Sequence, residues 1–165
     1  MIDGELSAAT KNLFDLLRGR KLTLVTAESC TGGLIAAAIT EIPGSSEVLE
    51  RGFVTYSNAA KEGDLGVAKE ILQRYGAVSE ATARAMAEGA LEHSLADLSV
   101  SVTGIAGPSG GSAEKPVGLV HFAAARRGAT TLHREIRFGD LGRAEVRRRS
   151  VLAAFALLNE LLDAR

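Results

Sequence analysis

Two short stretches hold the residues able to do chemistry: Thr26-Ala27-Glu28-Ser29-Cys30-Thr31-Gly32-Gly33 and Tyr56-Ser57-Asn58-Ala59-Ala60-Lys61. The first runs off an apolar strand pattern (Leu22 to Val25) into a helical one (Leu34 to Ile39). A serine at such a turn, followed by two glycines, stands among free backbone N–H groups at the positive end of a helix dipole. Its hydroxyl is inert at its own pKa and needs an adjacent base. Lys61 is the candidate base. The N–H groups of Cys30, Thr31 or Gly32 are the candidate oxyanion donors, each typically worth about 3–4 kcal/mol of barrier. The combination points to an amide-cleaving Ser/Lys enzyme. The competing readings are that Ser29 only caps a helix, that the turn binds phosphate noncovalently, or that Cys30 is the nucleophile because a helix start lowers a thiol pKa.

A lysine of ordinary pKa, about 10.4, is almost wholly protonated at neutral pH. Lowering it by ~3 units costs about 4 kcal/mol, which burial or a nearby cation must supply. Without that environment Lys61 is a solvated helix residue. Tyr56 either orients the lysine, stacks on a ring or simply packs in a strand.

Two further segments are candidates for ligand contacts. The loop Thr103 to Gly111 has neither Walker A nor dinucleotide spacing, yet sets N–H groups and the hydroxyls of Thr103, Ser109 and Ser112 at a strand end. Eight arginines fall between residues 126 and 149, and Arg143 and Arg147 share a helical face at i, i+4 spacing. Such a pair can clamp a phosphate in bidentate fashion, or be part of a solvated face; Arg148 and Arg149 are read as the latter.

The elements that must position these residues read as follows. Leu6, Leu13, Phe14 and Leu17 mark one face of a first helix, closed by Gly19. Strands are expected at Lys21 to Thr26, Gly52 to Ser57, Leu98 to Val102, Val117 to Ala125 and Thr130 to Phe138, the last two forming a hairpin. Helices are expected from Thr31 to Glu41, from an Asn58 cap through Lys61, from Val67 to Tyr75, from Ser79 along an Ala-rich run, and from Gly142 to Leu162. Strands alternating with helices, then a hairpin, predict a single three-layer α/β/α domain with a mixed sheet.

The totals narrow the function classes. At 165 residues the chain builds one core without staples, and with aromatics at 4% that core must be Ala, Leu, Val and Ile. One cysteine excludes an internal disulfide or a Cys-based zinc cluster, and the three separate histidines lack ligand spacing, so no metal or other cofactor is expected. A net charge of −1 argues against a broad nucleic-acid surface. No apolar run approaches the ~20 residues of a membrane span, and no signal peptide is evident, which predicts a cytoplasmic protein. The Ala-rich helix over residues 79–93 either faces the sheet or supports a homo-oligomer.

Taken together, the segments TAESCTGG (26–33), PGSS (43–46), GFVTYSNAAK (52–61), GAVS (76–79), GIAGPSGG (104–111) and KPVG (115–118), with the arginine-bearing last helix, resemble the CinA C-terminal domain family. The resemblance runs from about Glu5 to Leu162. It implies hydrolysis of the carboxamide of nicotinamide mononucleotide to nicotinate mononucleotide and ammonia. Ser29 is then the nucleophile and Lys61 its partner, with Tyr56 beside them. The expected substrate contacts are Cys30, Thr31, Gly32, Asn58, Thr103, Gly104 and a phosphate-binding arginine, Arg143 or Arg147. That choice stays open because the family's usual Gly-Asp-Arg is here Gly139-Asp140-Leu141-Gly142-Arg143. Some CinA proteins carry a further N-terminal domain related to molybdopterin-binding folds, which is expected to be absent. A noncatalytic nucleotide-binding or regulatory module would use the same glycines and arginines; a DNA-processing factor fits the charge poorly.

Overall fold

The computed structural model describes residues 2–164. Helix α1 spans Gly4–Gly19; Asp3 caps it by accepting from the Leu6 N–H, and Leu6, Leu13, Phe14 and Leu17 form its buried stripe. Strand β1 (Leu24–Glu28) is buried at all five positions, as a central strand covered on both faces must be. Helix α2 (Leu34–Thr40) and one 3₁₀ turn (Ser45–Glu47) lead to β2 (Leu49–Val54). Three helices follow, α3 (Asn58–Leu65), α4 (Lys69–Tyr75) and α5 (Glu80–Glu92). Then come β3 (Leu98–Gly104), β4 (Leu119–Arg126), β5 (Leu132–Arg137) and α6 (Arg143–Asp163).

The sheet order is β2-β1-β3-β4-β5. β1 runs parallel to both β2 and β3, while β3, β4 and β5 pair antiparallel. This is the expected three-layer α/β/α arrangement with a mixed sheet. Alternation along the strands divides the core in two. Leu24, Val100, Val102 and Phe122 pack with α1, α2 and α6, whereas Val25, Ala27, Ala123 and Ala125 pack with α3, α4 and α5.

Strand β3 shows a second device on the α5 side. Ser99, Ser101 and Thr103 donate hydroxyl hydrogen bonds to the carbonyls of Ala87 (2.6 Å), Ala83 (2.6 Å) and Ala77 (2.7 Å). These bonds fasten α5 and the segment before it to the sheet and satisfy the buried hydroxyls. The Ala-rich face of α5, with Ala83, Met86, Ala87 and Ala90, is buried in that layer and is therefore a core face rather than an oligomer surface.

Several expected boundaries move. β2 lies three residues earlier than expected, because its parallel ladder ends where β1 ends, with Glu28 opposite Val54. Tyr56 and Ser57 therefore follow the strand instead of packing within it. α2 starts at Leu34 rather than Thr31, since the left-handed Gly32 and Gly33 (φ 60° and 98°) cannot continue a helix. The cap of α3 is Ser57, whose Oγ accepts from the Ala60 N–H at 3.0 Å, not Asn58. Arg148 is not a solvated face residue: its side chain is 16% exposed and binds Asp3 (2.5 Å) and Glu5 (2.5 Å), holding the Asp3 carboxyl down to about 2. His121 and His133 are not isolated either; Nδ1 of the first lies 2.9 Å from Nε2 of the second across β4 and β5.

Gly89 is the tightest joint between helices. A Cβ there would overlap the carbonyl of Leu65, the last residue of α3. Glycine to alanine inside a helix normally stabilises by about 1 kcal/mol. At this site the sign reverses: Gly89→Ala is expected to lower stability by about 1–3 kcal/mol through overpacking. Chemical denaturation of the pair of proteins measures it.

Candidate active site

The end of β1 and the start of α3 meet at the edge of a cleft of about 270 Å³ lined by Ser29, Cys30, Tyr56, Asn58, Lys61, Thr103, Gly104 and Arg143, among others. Ser29 directly follows β1 and is anchored by its N–H to the Val102 carbonyl at 3.0 Å. Lys61 lies one turn into α3 and is 1% exposed. Its Nζ donates to the Thr55 carbonyl at 2.6 Å and sits 3.1 Å from Ser29 Oγ. Both partners are neutral oxygens. Burial without a compensating anion pushes the Lys61 pKa below its ordinary value, toward the uncharged amine that can accept a proton. Lys61 is thus no solvated helix residue.

The turn after Ser29 divides its N–H groups. Gly32 donates to the Ser29 carbonyl at 3.0 Å, so it is not available as an oxyanion donor. Among the described residues, the N–H groups of Cys30 and Thr31 find no backbone acceptor. Cys30 lines the cleft whereas Thr31 is fully buried outside it, so the Cys30 N–H is the candidate donor beside the nucleophile. Cys30 is a poor rival nucleophile: it is buried, the Lys61 amine contacts Ser29 Oγ instead, and burial pushes its thiol up to about 12.

The two arginines part company. Arg143 lines the cleft, donating to the Gly107 carbonyl at 3.0 Å and to the Tyr56 hydroxyl at 2.7 Å. Arg147, one turn deeper, lies outside the cleft lining and donates to the Thr31 carbonyl at 3.0 Å. The i, i+4 pair therefore does not form a clamp: its first member faces the ligand space and its second braces the catalytic turn. Thr31 and Gly32 also lie outside the lining, Thr31 being fully buried. Tyr56 does not orient the lysine. Its hydroxyl goes to Arg143, its side chain is largely exposed, and the Thr55 carbonyl holds the amine instead. Asn58 and Gly104 line the cleft; Thr103 does too, with its hydroxyl engaged by the Ala77 carbonyl.

Sequence reasoning missed Thr55 and Glu28. Thr55 acts through a backbone carbonyl, which leaves no mark on residue type. Glu28 is a fully buried acid that accepts from Thr31 Oγ1 (2.8 Å) and from the N–H groups of Ile35 (2.8 Å) and Ala36 (3.1 Å). The positive end of α2 is therefore already filled by the protein's own carboxylate. The signal was present: an acid closing an otherwise buried strand, immediately before a helix.

A strand-end serine touching a buried, charge-starved lysine, with unpaired N–H groups beside it, has the parts of an acyl-transfer site. The model of the CinA C-terminal domain matches residues 6–162, and the chain belongs to that family. It is 50% identical over 159 residues to the nicotinamide-nucleotide amidohydrolase PncC of Escherichia coli (strain K12), covering 96% of this chain and 95% of that protein. It is 59% identical over 115 residues to a CinA-like protein of Akkermansia muciniphila, of which it spans 28%. It spans 26% of a competence-damage inducible protein of Symbiobacterium thermophilum. The crystal structure of competence/damage inducible protein CihA from Agrobacterium tumefaciens superposes with a TM-score of 0.95 at 52% identity, covering 98% of both chains. No helix among the described residues is long and apolar enough to cross a membrane.

The buried amine has a measurable consequence for stability. Its folded pKa lies below the unfolded value of about 10.4, so the unfolded state binds more protons and stability rises with pH up to that value. Lys61→Met removes the group that must be desolvated. The variant is expected to melt higher than the parent at pH 7, with the gap closing as pH approaches ~10.4. Parallel thermal melts across that pH range check it.

Proposed function

We propose that this protein is a nicotinamide-nucleotide amidohydrolase, acting as one amidase domain, that converts nicotinamide mononucleotide and water to nicotinate mononucleotide and ammonia through Ser29 and Lys61. The observation that carries the reading is the 3.1 Å approach of a desolvated Lys61 Nζ to Ser29 Oγ. The E. coli relative, a nicotinamide-nucleotide amidohydrolase 50% identical over nearly its full length, supplies the substrate class.

In this mechanism uncharged Lys61 takes the Ser29 hydroxyl proton as Oγ attacks the carboxamide carbon. The negative charge that develops on the amide oxygen is met by the N–H of Cys30, the turn residue that lines the cleft. Lys61 returns the proton to the amide nitrogen, ammonia leaves, and an ester links Ser29 to the pyridine carbonyl. Lys61 then deprotonates a water that cleaves this ester and restores the serine. Thr55 keeps the amine aimed throughout. No carboxylate lines the cleft, and the permanently charged guanidinium of Arg143 favours an anionic ligand. Arg143, held on the Tyr56 hydroxyl, is the arginine assigned to the phosphate.

The test is ammonia release from nicotinamide mononucleotide. Ser29→Ala is expected to lower kcat by roughly three orders of magnitude or more without changing the melting temperature. Lys61→Arg is expected to be comparably inactive, since guanidinium cannot act as a base at neutral pH. Arg143→Ala is expected to raise KM by about 10–100-fold, the loss of one or two charge-assisted bonds. Nucleotide binding with no ammonia release from the unaltered protein would instead establish a noncatalytic module.

A further inference from the structure

Glu28 is placed where a sheet offers a charged residue no solvent, in register between Val54 of β2 and Val102 of β3 and 0% exposed. It does not line the cleft and touches neither Ser29 Oγ nor Lys61 Nζ. Burying a carboxylate is unfavourable unless its bonds are complete, and an apolar residue would serve packing as well. Both of its oxygens are bonded, one to Thr31 in the catalytic turn and both to the first turn of α2 that follows. Oε1 accepts from Thr31 Oγ1 and the Ile35 N–H, and Oε2 from the Ala36 N–H. On the main chain, the Glu28 carbonyl accepts from the Thr55 N–H at 2.9 Å, and Thr55 in turn holds Lys61. Thr31 is gripped from the other side by Arg147 at its carbonyl.

We infer that Glu28 is a positioning residue of the reaction. Through the Thr31 hydroxyl and the first turn of α2 it fixes the neighbouring Cys30 N–H relative to Ser29 Oγ. The inference rests on the amidase reading above. That donor meets a full negative charge only in the transition state, so displacing it lowers kcat and leaves ground-state binding, which Arg143 and the cleft walls supply, in place. A general structural role would instead weaken turnover and binding together.

The experiment measures ammonia release from nicotinamide mononucleotide by Thr31→Val, Thr31→Ser and Glu28→Gln. The nucleotide Kd is measured by calorimetry in the same variants carrying Ser29→Ala. Thr31→Val keeps the shape and deletes the hydroxyl; Glu28→Gln sets an amide N–H against the Ala36 N–H. Expected are kcat losses of about tenfold for Thr31→Val and about 100-fold for Glu28→Gln, with Kd within about twofold of the parent. Thr31→Ser, which restores the hydroxyl, is expected to keep kcat within about threefold of the unaltered protein. Unchanged kcat in Thr31→Val and Glu28→Gln overturns the inference, and so does a loss of kcat matched by an equal loss of affinity. Should Glu28→Gln fail to fold, the Thr31 pair decides alone. An unaltered protein that releases no ammonia defeats the amidase reading and this inference with it, whereas active protein with unaffected variants defeats only the inference.

Discussion

The constraint on which the rest of the structure depends is that a lysine must be kept out of water without being given an anion. Lys61 is nearly inaccessible, and its amine meets only a carbonyl and a hydroxyl. A carboxylate in that place would hold the proton on the amine and silence it. The layers serve this requirement. α3 is packed against α5 closely enough that only a glycine fits at position 89, and α5 is tied to β3 by a row of hydroxyls. β1 delivers Ser29 from the centre of the sheet, and the chain leaving β2 delivers the Thr55 carbonyl. Ser29, just past β1, and Lys61, in the helix that follows β2, meet beyond the ends of one parallel strand pair, where open α/β sheets place their ligands.

Much of this was legible in the chain. Ser29 before two glycines, at a strand-to-helix turn, announces a nucleophile or an anion turn, and Lys61 supplies the matching base. The strand and helix order, hence the three-layer class, follows from periodicity. What stayed hidden depended on contacts between distant segments. The end of β2 is set by where β1 stops pairing, not by the β-favouring run Phe53 to Tyr56. The division between Arg143 and Arg147 depends on the depth of α6 beneath the turn, which one helical face cannot reveal. Thr55 contributes a main-chain oxygen, and such contributions are independent of side-chain type.

Glu28 is the instructive intermediate. Its position in a buried strand was readable, yet its role follows only once Thr31, Ile35 and Ala36 are seen folded back onto it. From sequence alone the turn reads as a nucleophile turn or, alternatively, as a phosphate site at a helix start. Filling that site with an internal acid removes it from ligand binding and turns it into scaffold. With that site closed, the positive charge offered to the cleft shifts to Arg143, the first residue of α6.

That transfer makes the two ends of the ligand the business of different parts of the chain. The groups that would cut the amide sit just after β1 and on α3, while the guanidinium facing the cleft belongs to the opening turn of α6, whose apolar face further along is core. Recognition can therefore drift without disturbing bond cleavage. A lineage that altered residues 139–143 would inherit an intact cutting apparatus and acquire a taste for carboxamides bearing a different tail.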